Sequence, residues 1–155
     1  MRIRLRNAIL VVLATSIGLW AADRQAGTWK LNLEKSKYTA DHPAPKSITL
    51  KIQEQEGGLK VNVDGEDAQG NPIHIEFTAK YDGKDYPMTG SATTDTIVLK
   101  RIDANTVETT SKKNGAVVTT VRSVVSKDGK TRTSTWKGKN AKGEPETWVA
   151  VYDKQ

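Results

Sequence analysis

The sequence predicts an all-β fold: a single up-and-down antiparallel barrel of about eight to ten strands that follows an N-terminal leader. Most apolar runs alternate with polar residues, turn-forming residues separate these runs at short intervals, and no segment after the leader repeats its apolar residues at helical spacing. A long meander of hairpins leaves two exposed edges unless it closes on itself, so we expect a closed barrel. An open curled sheet or a two-sheet sandwich is the alternative.

Residues 1–22 have the layout of a secretory signal peptide. A start containing three arginines precedes an apolar run over residues 8–20, which is too short for a good membrane span. We expect cleavage after Ala21 or Ala22, export to the periplasm or the extracellular space, and no membrane span in the mature protein. Residues 23–155 would then form the barrel domain. An uncleaved anchor is the alternative, because a leucine stands where a small residue is usual three positions before the cut.

Loss of the leader leaves a mildly basic chain. The whole sequence carries 24 Lys and Arg against 18 Asp and Glu, and the leader contains three arginines and no acid. The remaining charges are mixed along the chain, which argues against a nucleic-acid partner. The absence of cysteine excludes disulfides, thiol catalysis and cysteine-ligated metals.

The early strands each show one apolar and one polar face. Trp29 and Leu31 alternate with polar residues, and the same period of two recurs at Ile48–Ile52 and Ile73–Phe77. The predicted strands in this half span residues 27–33, 47–56, 59–64, 73–81 and the short, less regular 88–93.

The later strands are rich in threonine and valine. They are predicted at residues 95–102, 106–112, 116–126, 131–138 and 146–152. Pairs such as Asp82–Gly83 and Asn114–Gly115 supply the positive φ angles of tight hairpins between strands. In the strand at 131–138, Thr131, Thr133 and Thr135 share one face, with Arg132, Ser134 and Trp136 on the other. We expect an interior that is half apolar and half lined by threonine.

The opening Gly27-Thr28-Trp29 resembles the Gly-x-Trp signature at the start of lipocalins and fatty-acid-binding proteins, and residues 148–154 resemble the final strand of the latter. The chain is therefore similar to bacterial lipocalin-like exported proteins of the calycin superfamily. The resemblance implies that Trp29 closes one end of the barrel beneath a basic side chain from a late strand, with Gly27 letting the chain cross below.

The sequence also departs from this family. The connection over residues 34–46 contains two prolines and is too short for the two-helix lid of fatty-acid-binding proteins. Those proteins hold a ligand carboxylate with an Arg-x-Tyr pair, which becomes Ala150 and Tyr152 here. Of this pair only the tyrosine is present, as Tyr152. Lipocalins also have an arginine on a late strand, for which Arg122 is the candidate here.

A small amphipathic or apolar ligand is the predicted partner. Arg122 lies on a valine-rich strand, where its planar head could pair with an anion; stacking over Trp29 or extension to the rim is the alternative. Tyr86 belongs to a loop that could either recognise a ligand or cap the barrel. The candidate ligand-binding residues are Arg122, Tyr152, Tyr86, Phe77 and Trp136.

Catalytic signals are weak. His74 and Glu76 share one face of a strand, an arrangement that fits either an acid–base pair or a solvated surface. The carboxylates within residues 62–67 lack the spacing of a calcium loop. We therefore predict no enzyme, no cofactor and no metal site. A ligand-carrying barrel is the preferred function, and a filled barrel that binds a protein through its loops is the alternative.

Overall fold

The structure, a computed structural model, describes residues 21–155. The predicted leader therefore lies outside the described residues, apart from Ala21 and Ala22. The described chain forms ten antiparallel strands that close into one barrel, so the predicted fold class is confirmed. In this range the chain forms no helix that could cross a membrane. The strands in chain order are β1 (Gly27–Lys37), β2 (Ser47–Gln55), β3 (Gly58–Glu66), β4 (Pro72–Lys80), β5 (Tyr86–Thr89), β6 (Thr96–Arg101), β7 (Thr106–Lys113), β8 (Ala116–Val125), β9 (Thr131–Lys139) and β10 (Pro145–Lys154).

Each strand pairs with the next along the chain, and β1 also pairs with β10 to close the barrel. Trp29 thus lies opposite Leu50 of β2 on one side and Lys154 of β10 on the other. The predicted hairpin between β7 and β8 turns at Asn114 and Gly115, whose φ angles are 49° and 80°. Positive values at both positions suit a tight turn between twisted strands.

The least regular predicted strand is the one that differs most from the structure. β5 covers only Tyr86–Thr89, not residues 88–93. Gly90 has a φ of 87°, and a Cβ there would lie 1.8 Å from the backbone oxygen of His74. Only glycine fits this close approach. β5 ends at the residue before it, and a loop continues to β6.

Side-chain alternation places the apolar faces of the early strands inside the barrel. Ile48, Leu50 and Ile52 of β2 are 8%, 7% and 4% exposed, and they belong to one core with Leu99 of β6. Burial of such side chains stabilises the fold by about 1.5–3 kcal/mol each.

Trp29 closes one end of this core. It is fully buried, and its indole Nε1 donates a hydrogen bond to the Gln25 carbonyl at 2.9 Å. The Lys154 ammonium lies 5.2 Å from the ring centre, so the basic side chain over Trp29 comes from β10. Gly27 has a φ of 138°, and a Cβ there would lie 2.8 Å from Lys154 Cε. Gly27 therefore tolerates a backbone conformation that residues with a side chain rarely adopt.

Candidate ligand cavity

The barrel encloses a cavity of about 550 Å³, bordered by side chains from β2 through β10. This volume lies within the range of small-molecule sites, about 300–1,000 Å³. The interior therefore contains space that the core side chains do not fill. Its wall has three zones: an aliphatic side, a polar floor near Trp29, and an aromatic mouth at the opposite end.

The aliphatic side comes from β2, β3 and β4. Along each of these strands every second residue faces the cavity, and these residues are apolar, as at Leu50, Val61 and Ile75. Phe77 borders the cavity on the same side. Trp29 belongs to the core without bordering the cavity.

Arg132 of β9 occupies the polar floor. Its Nε donates to Gln25 Oε1 at 3.0 Å, and its Nη1 donates to Ser134 Oγ at 2.9 Å. Ser134 is held in turn by a 2.9 Å bond to Ser123 Oγ. These neutral partners fix the guanidinium plane while leaving Nη2 without an acceptor among the described residues.

The charge of Arg132 has no carboxylate counter-ion in residues 21–155. Burial lowers the pKa of Arg132 below its ordinary value, and Tyr152 and Tyr81 oppose that shift. Arginine remains protonated in proteins even so. An interior cation without an anion is costly, and a bound anion would offset that cost.

Two tyrosines also border the cavity. Tyr152 lies opposite Arg132 in the β9–β10 pairing, with the guanidinium 5.9 Å from its ring centre. Tyr38 follows β1 on the side of the mouth. Burial raises the pKa of Tyr152, against the effect of Arg132, and burial followed by the influence of Tyr152 raises the pKa of Tyr38. Both hydroxyls stay protonated at neutral pH and can donate to a ligand oxygen.

Aromatic rings line the mouth. Trp136 of β9 and Trp148 of β10 are cross-strand partners whose ring centres lie 5.8 Å apart in a stacked arrangement. His42, from the β1–β2 connection, stacks on Trp148 at 3.7 Å between centres. Its Nε2 lies 3.1 Å from the Lys139 carbonyl. This connection is therefore held against the rim without any helix.

Among the sequence-predicted site residues, Phe77, Trp136 and Tyr152 border the cavity. Tyr86 does not border it: its ring packs against the core, and its hydroxyl donates to Asp82 Oδ2 at 2.7 Å. Arg122 also lies outside, with its side chain 58% exposed and paired with Glu108 at 3.2 Å. The three predicted residues that reach the cavity are thus on strands β4, β9 and β10.

The outward position of Arg122 follows from the alternation of β8. Val121, Ser123 and Val125 are buried, so the residues between them face solvent. The interior arginine is Arg132. On β9 the residues that face the interior are Arg132, Ser134 and Trp136. The expectation of a threonine-lined half at β9 was therefore wrong.

The sequence contained a signal for Arg132 that hydrophobicity alone did not reveal. Arg132 is four residues before Trp136 on the same face of a strand, so an inward Trp136 requires an inward Arg132. The contributions of Gln25 and Ser123 depend on barrel closure and have no such local pattern.

The candidate catalytic residues form separate surface pairs. His74 Nδ1 lies 2.6 Å from Asp64 Oδ1, and Glu76 Oε1 lies 3.2 Å from Lys60 Nζ. Arg122 pairs elsewhere with Glu108, so these three side chains do not form one cluster.

No protein-family model and no curated protein sequence matches this chain.

Proposed function

We propose that this protein binds and carries a small amphipathic anion, with the apolar body of the ligand in the cavity and its charged head against Arg132. The observation that carries the proposal is the interior guanidinium with no carboxylate partner among the described residues. Tyr152 supplies a neighbouring hydroxyl donor, and aliphatic side chains supply the rest of the wall.

The second part of the proposal is that this protein is an exported carrier of a lipocalin-like family. The closed meander and the buried Trp29 above Gly27 support a relation to lipocalins and fatty-acid-binding proteins. The anion site differs from an Arg-x-Tyr pair on one strand, because Arg132 lies on β9 and Tyr152 on β10. Binding without catalysis is the proposed activity, and the predicted leader supports action in the periplasm or the extracellular space.

Calorimetric titration with dodecanoate and dodecanol tests the role of the head group. The two probes share the same chain length and differ in charge. Arg132→Gln should raise the Kd for dodecanoate by about 10- to 100-fold, the cost of losing a charged hydrogen bond, and should change the Kd for dodecanol little. Arg122→Gln is the matched control, because it removes the same charge on the outer surface.

Unchanged dodecanoate binding by Arg132→Gln would contradict the anion site. Native mass spectrometry of protein purified gently from its compartment should show a bound mass of a few hundred daltons that is lost on denaturation. A clean apo mass, together with no binding of either probe, would contradict the carrier and favour the protein-binding alternative.

A further inference from the structure

The rim of the cavity mouth carries an exposed apolar tip on the β7–β8 hairpin. Ala116, Val117 and Val118 are consecutive and all exposed. Val117 is 62% exposed, the highest value for a large hydrophobic residue in the described chain. Val118 is 37% exposed and also borders the cavity, so apolar surface continues from the outside into the interior.

A β-bulge turns Val117 outward. Ser111 of β7 pairs with Thr119, but the next residue, Lys112, pairs with Val117, which leaves Val118 as the extra residue. One extra residue in a strand moves every residue beyond it to the opposite face of the sheet. Val117 therefore leaves the inward face on which Val121 remains. The fold itself exposes this valine at the mouth.

Lysines on the neighbouring β9–β10 hairpin flank the tip. Lys137, Lys139 and Lys142 are exposed and form no ion pair within residues 21–155. Lys137 pairs with Thr120 of β8, which places the two hairpins side by side. The carboxylate of Glu144, in the same turn, accepts a hydrogen bond from Asn140 at 3.0 Å.

We propose that this rim docks on an anionic lipid bilayer, with Val117 inserted at the level of the headgroups and the three lysines over the surface. The term docking rim denotes Ala116–Val118 with Lys137, Lys139 and Lys142. Burial of apolar surface among the headgroups and attraction of exposed lysines to anionic lipids would both favour binding to such a surface. A protein partner is less favoured, because the tip lacks the aromatic anchors that dominate protein interfaces.

Docking at this place would open the cavity toward the membrane. Val118 connects the docking rim to the interior, so an amphipathic anion could exchange between the bilayer and the cavity without crossing much water. This consequence rests on the proposed function, but the docking itself does not.

Flotation with vesicles tests the docking. Vesicles of phosphatidylcholine mixed with phosphatidylglycerol should bind the protein, and vesicles of phosphatidylcholine alone should bind it far more weakly. Val117→Ser should reduce partitioning about tenfold by removing apolar burial. Ile102→Ser is the matched control, because Ile102 is 47% exposed but follows β6 at the closed end.

Charge is tested with matched triple variants. Replacing Lys137, Lys139 and Lys142 by Gln should reduce binding to anionic vesicles on the order of 100-fold, at about fivefold for each lysine. The same change at Lys100, Lys127 and Lys130, which are exposed toward the closed end, alters net charge equally and should have a much smaller effect.

The outcomes separate the two proposals. Arg132→Gln should bind anionic vesicles normally while losing dodecanoate affinity. Equal binding to both kinds of vesicle, no binding to either, or equal loss in Val117→Ser and Ile102→Ser would overturn the docking and leave the anion site standing. Normal docking of a protein that binds no dodecanoate would leave the docking standing and contradict the anion site.

Discussion

The two halves of the barrel wall are built differently. β2, β3 and β4 present aliphatic side chains to the cavity, whereas β9 and β10 present Arg132, Tyr152 and two tryptophans. The first half excludes water and stabilises the fold through burial. The second half places polar and aromatic groups where a ligand could meet them. Substitutions in the two halves should therefore have different consequences, with the larger loss of stability on the aliphatic side and the larger loss of head-group recognition on the polar side.

The largest expected effect on stability lies on the aliphatic side. Leu59→Ala on β3 removes a side chain that is 3% exposed, and should lower the free energy of unfolding by about 2–4 kcal/mol through lost burial and a larger void. Urea denaturation measures this. The exposed Ile102→Ala is the control and should change stability by less than about 0.5 kcal/mol. A similar loss of stability in both variants would remove the distinction between core and surface.

A smaller loss of folding stability is expected from a substitution on the polar side. Ser134→Ala removes one acceptor of Arg132 and the partner of Ser123, and should cost about 1–3 kcal/mol, because buried polar groups lose their hydrogen bonds. It should also weaken dodecanoate binding, since Arg132 loses one of the groups that orient it. The control is Thr135→Ala, because Thr135 is the neighbour of Ser134 on β9 and faces outward. Full stability and unchanged affinity in Ser134→Ala would show that this network does not position the arginine.

Alkaline pH should destabilise the polar side. Burial raises the pKa of Tyr152, so the unfolded chain loses this proton first as pH rises. The stability contributed by the protonated hydroxyl is present below the ordinary tyrosine pKa of about 10 and is lost above it, by up to about 1.4 kcal/mol for each pH unit. Urea midpoints at pH 9 and 11 should therefore differ less in Tyr152→Phe than in the unmodified protein. An equal fall in both would locate the alkaline sensitivity elsewhere.

The smallest effect is expected at Arg122, the outward counterpart of Arg132. Arg122→Gln breaks an exposed pair with Glu108 and should cost no more than about 1 kcal/mol. Thermal denaturation at low and high salt measures this loss of stability. High salt should reduce the difference in stability between the variant and the unmodified protein. A loss of several kcal/mol would mean that the outer surface of β8 contributes as much as the core.

Alternation of apolar residues predicted the strands well where one face is clearly polar, as in β2 and β4. It was less informative in the later strands, because valine and threonine occupy both faces of β8 and the inward face of β9 contains a charge. The preference for Arg122 over Arg132 came from that ambiguity. The bulge at Val118 depends on how β7 and β8 pair, and no local pattern in the sequence revealed it.

Closure of the barrel by β1 and β10 has a consequence for folding kinetics. All other strand pairs join neighbours along the chain, but Trp29 pairs with Lys154 from the far end of the domain. Hairpins form locally within microseconds, whereas this contact must bring distant segments together and bear most of the loop-closure entropy. The seam that buries Trp29 should therefore assemble late, and until then the growing sheet keeps two unpaired edges open to association with other chains.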